Sequence, residues 1–196
     1  VSDFALEPCP KYSAGVDFYP TPAWTTRALL NFCPPTDLYG ESFLDMLIEP
    51  CAGDGAIVRE LRAAYPRANI VAIELRDTAA ALAAAGASTI ICADFFSTTI
   101  AHNASVIGNP PFSLAFEFAE KCVDSLARYV ALLLRLNFLA SAARKDFINA
   151  HPPSHLGILS RRPSFTADGK TDSSDYAWFV WDRSCADLMH TRIRSL

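Results

Sequence analysis

No stretch of this chain is long and apolar enough to cross a bilayer, and its most apolar run, residues 130–134, is only the length of a buried strand. No signal-peptide pattern is visible either, so a cytoplasmic protein without membrane contact is expected. The six cysteines include no C-x-x-C pair and several lie within apolar runs, which argues against a zinc site and for a reduced, intracellular chain. The four histidines (His102, His151, His155, His190) read as surface or cap residues, and no metal ligand set stands out. The Gly53-Asp54-Gly55 turn lacks the third glycine of the dinucleotide fingerprint, and no G-K-[ST] occurs, so a bound dinucleotide or triphosphate fits poorly. There is no internal repeat and no low-complexity tract. At 196 residues, about half of them apolar, the chain suits one α/β domain and is short for two. An excess of positive charge is missing too, because the formal net charge is −4. The balance is uneven: residues 1–100 carry 6 basic and 12 acidic side chains, and residues 101–196 carry 11 and 9. The second half is therefore mildly basic, with Arg135, Arg144, Lys145, Arg161, Arg162 and Lys170 as candidates for a phosphate-facing surface.

The apolar periodicity alternates between strand and helix. An N-terminal arm leads to a helix near residues 22–33, which Pro34-Pro35 ends. Strands are expected at 44–49, 69–74, 89–92, 105–109 and 129–135, with helices at 57–65, 77–85, 114–126 and 141–150. Residues 155–159 and 176–180 read as a closing antiparallel pair, separated by a long loop at 160–174. Such alternation predicts a mostly parallel sheet with helices on both faces.

Polar residues close the first four strands. The first ends in Glu49 before Pro50-Cys51-Ala52-Gly53-Asp54-Gly55, the second in Glu74, the third in Ala93-Asp94-Phe95-Phe96 and the fourth in Asn109. One acid after a strand is usually a helix cap. Four polar ends on one edge of a parallel sheet fit a ligand crevice better. Glu74 lies where open α/β folds hold ribose hydroxyls, and an acid ahead of the glycines suits a cationic ligand. The fourth end, Gly108-Asn109-Pro110-Pro111-Phe112-Ser113, sets an amide oxygen, a backbone carbonyl and a flat aromatic face in one rigid loop. That combination can hold a planar amine and take up charge that grows on its nitrogen.

The run E-P-C-A-G-D-G, then I-E-L, A-D-F-F and G-N-P-P-F-S resembles the S-adenosylmethionine-dependent amino-methyltransferases of the N6-adenine branch. Their order, with the cofactor motifs first, is that of the γ type. Asp17-Phe18-Tyr19-Pro20-Thr21-Pro22 is similar to the family's N-terminal cofactor motif, and the R-P-S-F…G-K-T-D tail to small, often phage-borne or bacterial, members. The resemblance covers roughly residues 17–182 and implies a Rossmann-like class I methyltransferase fold with a seven-stranded, mostly parallel sheet. It divides the single domain of residues 1–196 into an arm and helix (1–35), a cofactor half (44–109) and a substrate half (110–182).

The roles that it implies run position by position. Glu49, Gly53 and Gly55 shape the loop around the methionine moiety and sulfonium, and Tyr19 and Thr21 close over the methionine end. Glu74 takes the ribose, Asp94 the cofactor's adenine amine and Phe95 its ring. Asn109 borders the cofactor and, with the carbonyl of Pro110 and the rigidity of Pro111, holds the target N6, while Phe112 stacks on the base. Phe165 is the candidate for the opposite face of that base, with Arg161, Arg162 and Lys170 on flanking phosphates.

The implied reaction is methyl transfer from S-adenosylmethionine to adenine N6 in nucleic acid, DNA in preference to RNA. No segment is large enough for a separate target-reading domain, so short loops or a partner subunit must select the site. Competing readings are an RNA adenine methyltransferase, a protein glutamine-amide methyltransferase, which uses a similar N-P-P-aromatic pocket, a non-catalytic binding subunit and a nucleotide-dependent dehydrogenase. The arm and tail motifs disfavour the second of these, the intact Glu74, Asp94 and Asn109 the third, and the missing fingerprint the last.

Overall fold

The structure, a computed structural model, describes residues 20–36, 46–165, 173–185 and 190–196. Tyr19, Lys170 and the interior of the 160–174 loop lie outside the described residues. In chain order the strands are β1 Met46–Glu49, β2 Asn69–Glu74, β3 Thr89–Cys92, β4 Ser105–Gly108, β5 Tyr129–Arg135, β6 His155–Ile158, β7 Tyr176–Asp182 and β8 Arg192–Ser195. The helices are α1 Ala23–Phe32, α2 Ala56–Ala64, α3 Ala79–Ala85, α4 Ala115–Asp124 and α5 Lys145–Ala150. One sheet runs β3-β2-β1-β4-β5-β7-β6-β8. The first five strands in this order are parallel, β7 is antiparallel to both β5 and β6, and β8 is parallel to β6.

This is the expected α/β architecture with one strand more than the seven anticipated. β8 is Arg-Ile-Arg-Ser with all four residues exposed, so it joins the sheet edge through its backbone and carries no apolar signature. The closing antiparallel pair is present, with β7 inserted between β5 and β6.

Period-two alternation distributes the central strands between two cores. Tyr129, Ala131 and Leu133 of β5 and Tyr176, Trp178 and Val180 of β7 face the core that receives Leu29 of α1, Leu61 of α2 and Leu82 of α3. Val130, Leu132 and Leu134, with Ala177, Phe179 and Trp181, face the opposite core, where Phe118 and Cys122 of α4 are buried. The helices follow from local chemistry. α3 is six alanines and a leucine, and stops at Gly86 in the left-handed region.

Two buried aromatic donors fasten α1 to the sheet. Trp178 Nε1 donates to the Thr25 carbonyl at 2.8 Å and Tyr129 Oη to the Cys33 carbonyl at 2.6 Å. These bonds set the position of Thr21, just ahead of the helix. Where α2 approaches α3, a Cβ on Gly55 would come within 2.5 Å of the Ala85 Cβ, and its φ of +83° disfavours any side chain. No described helix is long and apolar enough to cross a membrane.

Candidate active site

The strand order reverses between β1 and β4, and the carboxyl ends of the first four strands open there into a cavity of about 200 Å³. Glu49, Glu74, Asp94 and Asn109 all line it, as do Thr21, Gly53, Phe95 and the Pro110-Pro111-Phe112 run. Residues 88 positions apart in sequence thus meet at one wall. Gly55 stands apart from the wall and serves the contact of α2 with α3.

Glu49 is the acid at the end of β1, 2% exposed. Burial pushes its carboxyl well above the usual range, and the Val58 N–H near the start of α2 offsets this only in part. Its Oε2 is buried with no hydrogen-bond partner among the described residues. Such a group calls for a cation or a donor.

Glu74 behaves in the opposite way. Burial acts to raise its carboxyl, but the Arg76 guanidinium and N–H and the Gly53 N–H outweigh it and hold the group below the ordinary carboxylate range. The bonds are Gly53 N–H to Oε2 at 2.7 Å, with Arg76 N–H and Nε to Oε1 at 3.0 and 2.9 Å. Glu74 is therefore ionised and fixed, and it pins the glycine loop to the end of β2. Arg76 was not among the expected site residues, and the only signal was its place two residues after the acid.

The third strand end is a short 3-10 turn, Phe95–Ser97, capped by Asp94 Oδ1 on the Phe96 N–H at 2.9 Å. Asp94 is thus at once a cap and part of the cavity wall. Phe95 is 3% exposed and stacks on Phe118 with centroids 4.8 Å apart, whereas Phe96 is 39% exposed. Both line the cavity, the expected Phe95 as a buried ring and Phe96 as the more exposed one. Lys121 of α4 clasps the turn from below, donating to the carbonyls of Phe95, Phe96 and Thr98 at 2.8, 2.9 and 2.6 Å. Nothing in the sequence marks this lysine, because its three acceptors lie 23 to 26 residues away.

At the fourth strand end, Asn109 Nδ2 donates to Thr21 Oγ1 at 3.0 Å. The bond orients the amide and leaves Oδ1 buried and without a partner among the described residues. Gly108 lets the two loops meet, since a Cβ there would lie 2.9 Å from Pro50 Cδ. The Pro111 carbonyl accepts from Leu114 N–H at 2.9 Å and so starts the turn that presents Phe112.

The expected substrate clamp is arranged differently. Phe165 is 5% exposed and meets Phe112 edge to face with centroids 5.7 Å apart and Tyr176 at 5.1 Å. Rings in that contact leave no space for a base between them, and Phe165 belongs to the core. Arg161 stacks over Trp24 at 4.3 Å and Arg162 Nε pairs with Asp175 at 2.9 Å, so both exposed arginines already have protein partners. Arg135, at the end of β5, instead lies over Phe112 with Cζ 4.4 Å from the ring centre. Cys33, Cys51, Cys122 and Cys185 are free thiols.

No family profile matches the chain, and no curated protein matches it. Solved structures do. A type I restriction-modification methyltransferase subunit from Streptococcus thermophilus aligns over 91% of this chain and 48% of its own, at 12% identity and a TM-score of 0.66. The chain thus spans about half the length of that protein. A proposed RNA methyltransferase from Pyrococcus horikoshii aligns over 90% and 91%, at 14% identity and a TM-score of 0.64. A dimethyladenosine transferase from Plasmodium falciparum aligns over 84% and 62%, at 14% identity and a TM-score of 0.57. The chain has the methyltransferase fold. Its cavity opens at the reversal of strand order, where open α/β sheets bind their ligands.

Proposed function

We propose that this protein transfers a methyl group from S-adenosylmethionine to the N6 amine of adenine in nucleic acid, with DNA as the preferred substrate. The observation that carries the reading is Asn109 Oδ1, an amide oxygen held by Thr21, excluded from water and lacking a donor among the described residues. Such an acceptor costs about 1–3 kcal/mol until a ligand N–H meets it.

The cavity suits the cofactor on two grounds. Glu49, a buried carboxyl with an orphaned oxygen, fits the cationic methionine end, and Thr21 borders the same space. Glu74, ionised and fixed, fits ribose hydroxyls, while Asp94 and the Phe95-Phe96 pair fit an adenine ring and its amine. When bound, S-adenosylmethionine supplies an electrophilic methyl on a sulfonium, whose S–C bond breaks with the electron pair returning to sulfur.

The residues of the chain prepare the nucleophile. The N6 lone pair of adenine is delocalised into its ring. Asn109 Oδ1 and the Pro110 carbonyl, accepting its two hydrogens, favour a more tetrahedral nitrogen and stabilise the positive charge that grows as the N–C bond forms. The amine then gives one proton to solvent. Phe112 offers a π face to the base, worth about 1–2 kcal/mol once charge develops in a dry site. The base must leave the duplex to reach Asn109.

RNA is the second reading, favoured by the fold shared with the proposed RNA methyltransferase. A partner that selects the target sequence belongs to the proposal, since the type I neighbour is itself a subunit. The test is incubation with methyl-labelled cofactor and DNA, RNA or a glutamine-bearing protein, followed by identification of the labelled nucleoside or residue. N6-methyladenosine or its deoxy form is expected, and label on glutamine alone would overturn the reading.

A further inference from the structure

Phe112 borders two spaces. One is the strand-end cavity, and the other is a second space of about 190 Å³ that Arg135, Asn137 and Phe138 also line. Arg135 Cζ stands 4.4 Å from the centre of the Phe112 ring. We infer that Arg135 occupies the place of the target base on Phe112, and that its guanidinium swings aside into the second space when a base stacks there. The inference rests on the proposed reading, in which Phe112 receives the base. It makes Arg135 a specificity residue that favours a nucleic-acid strand over a free nucleoside.

A guanidinium is planar and delocalised, and it stacks on an aromatic ring much as a base does. At 4.4 Å it is within cation–π range, so a base and the guanidinium cannot share that face. The side of Phe112 turned to its other ring neighbours is no easier to reach. Phe165 and Tyr176 meet it with centroids 5.7 and 5.4 Å away, and both are buried in the core, so a base entering there would have to part packed rings. Arg135 is the neighbour that can move, because it is half-buried, ends β5 and borders the second space. Its Nε donates to Tyr176 Oη at 3.1 Å, which aims the guanidinium over Phe112. Arg135 and Tyr176 are also direct partners across β5 and β7, so strand register sets this bond.

A base that displaces a stacked cation loses part of its own stacking energy. Its apparent affinity falls in proportion to the fraction of molecules whose ring is uncovered. A free nucleoside has only its base and sugar with which to offset that loss. A strand makes further contacts along its length, and binding energy from remote parts of a substrate can drive a rearrangement at the reacting centre. Arg135 therefore sets a threshold that a strand passes more readily than a nucleoside.

The test is titration of adenosine, followed by ligand-observed NMR, into protein saturated with S-adenosylhomocysteine, the demethylated cofactor, so that the cofactor site is filled. Calorimetric binding of S-adenosylhomocysteine reports that each variant is folded. Arg135→Ala should bind adenosine about three- to tenfold more tightly than wild type, the range that loss of a competing cation–π contact allows. Tyr176→Phe removes the acceptor that aims the guanidinium and keeps the charge. It should move affinity the same way by a smaller factor, and it decides the matter if Arg135→Ala does not fold. Adding Phe112→Ala to Arg135→Ala should remove the gain. Adenosine affinity at or below the wild-type value in both single variants, or a gain that survives the loss of Phe112, would overturn the inference. Methyl transfer to a short adenine-containing strand is measured in parallel. A gain in adenosine affinity without N6 methylation would sink the methyl-transfer reading and keep the role of Arg135, and N6 methylation without the gain would do the reverse.

Discussion

Asn109 and Glu49 sit about the same cavity with opposite needs. On the proposed reading the Asn109 oxygen, without a donor among the described residues, accepts from the target amine, and this matters most as charge develops there. Asn109→Ala should therefore lower turnover by orders of magnitude and leave cofactor affinity nearly intact, as read by single-turnover rates beside calorimetry. Equal losses in both would mark the residue as part of the scaffold. On the proposed reading Glu49 meets the cofactor's cationic end, and burial holds its carboxyl above the usual range. A cation binds only the ionised form, so cofactor binding should release a proton between the ordinary carboxylate value, about 4.3, and the raised one. Affinity should rise with pH across that window. The sign for stability is the reverse. Because the folded value lies above the unfolded one, native stability conferred by the protonated form is lost as pH rises through the window. Calorimetry in buffers of different ionisation enthalpy should detect the proton, and Glu49→Gln should abolish its release while raising the melting temperature of the free protein near neutrality. Proton release that survives the substitution would assign it to another group.

Single elements carry the site's precision. The 3-10 turn at residues 95–97 is too short to hold itself, and Lys121 secures it through three carbonyls. Lys121→Met keeps the aliphatic stem and removes those bonds. It should speed amide exchange across residues 94–98 and weaken cofactor binding roughly tenfold, as loss of one or two charged hydrogen bonds allows. Unchanged exchange would show that the Asp94 cap suffices. Phe165 tests the other end of the molecule. Packed against Phe112 and Tyr176 in the core, it should behave as a core aromatic, so Phe165→Ala costs about 3–5 kcal/mol of stability. Thermal unfolding measures that loss. Strand affinity reduced tenfold with melting unchanged would restore the clamp expected from the tail motif.

The whole molecule joins a sheet packed on both faces to a crevice at the ends of its strands. Sheet order places four strand ends at one mouth, and the two layers of helices keep their spacing. A ligand that bridges those ends binds the native state alone. S-adenosylmethionine at 100 times its Kd should therefore stabilise the protein by about 2.7 kcal/mol, seen as a rise in melting temperature. A nucleoside lacking the methionine portion should give a smaller rise, because it does not reach Glu49. Equal shifts from both would remove Glu49 from the binding surface.

The sequence by itself determined the alternation of strands and helices and the polar residue at each strand end. Both are local properties, set by apolar periodicity and by what may follow a strand. It also marked the Asn109-Pro110-Pro111-Phe112 loop, because those residue types in series restrict the backbone whatever surrounds them. Only the tertiary structure decided which partner each side chain took. β8 joined by backbone pairing at an edge, which leaves no apolar pattern to read. Phe165 went to the core and Arg135 to the face of Phe112, because β7 entered between β5 and β6 and brought Tyr176 against them both. Lys121 and Arg76 became supports of the site through distances that close only when the sheet forms. Periodicity is written along the chain, but the pairing of charges and rings is settled by the packing of segments far apart in it.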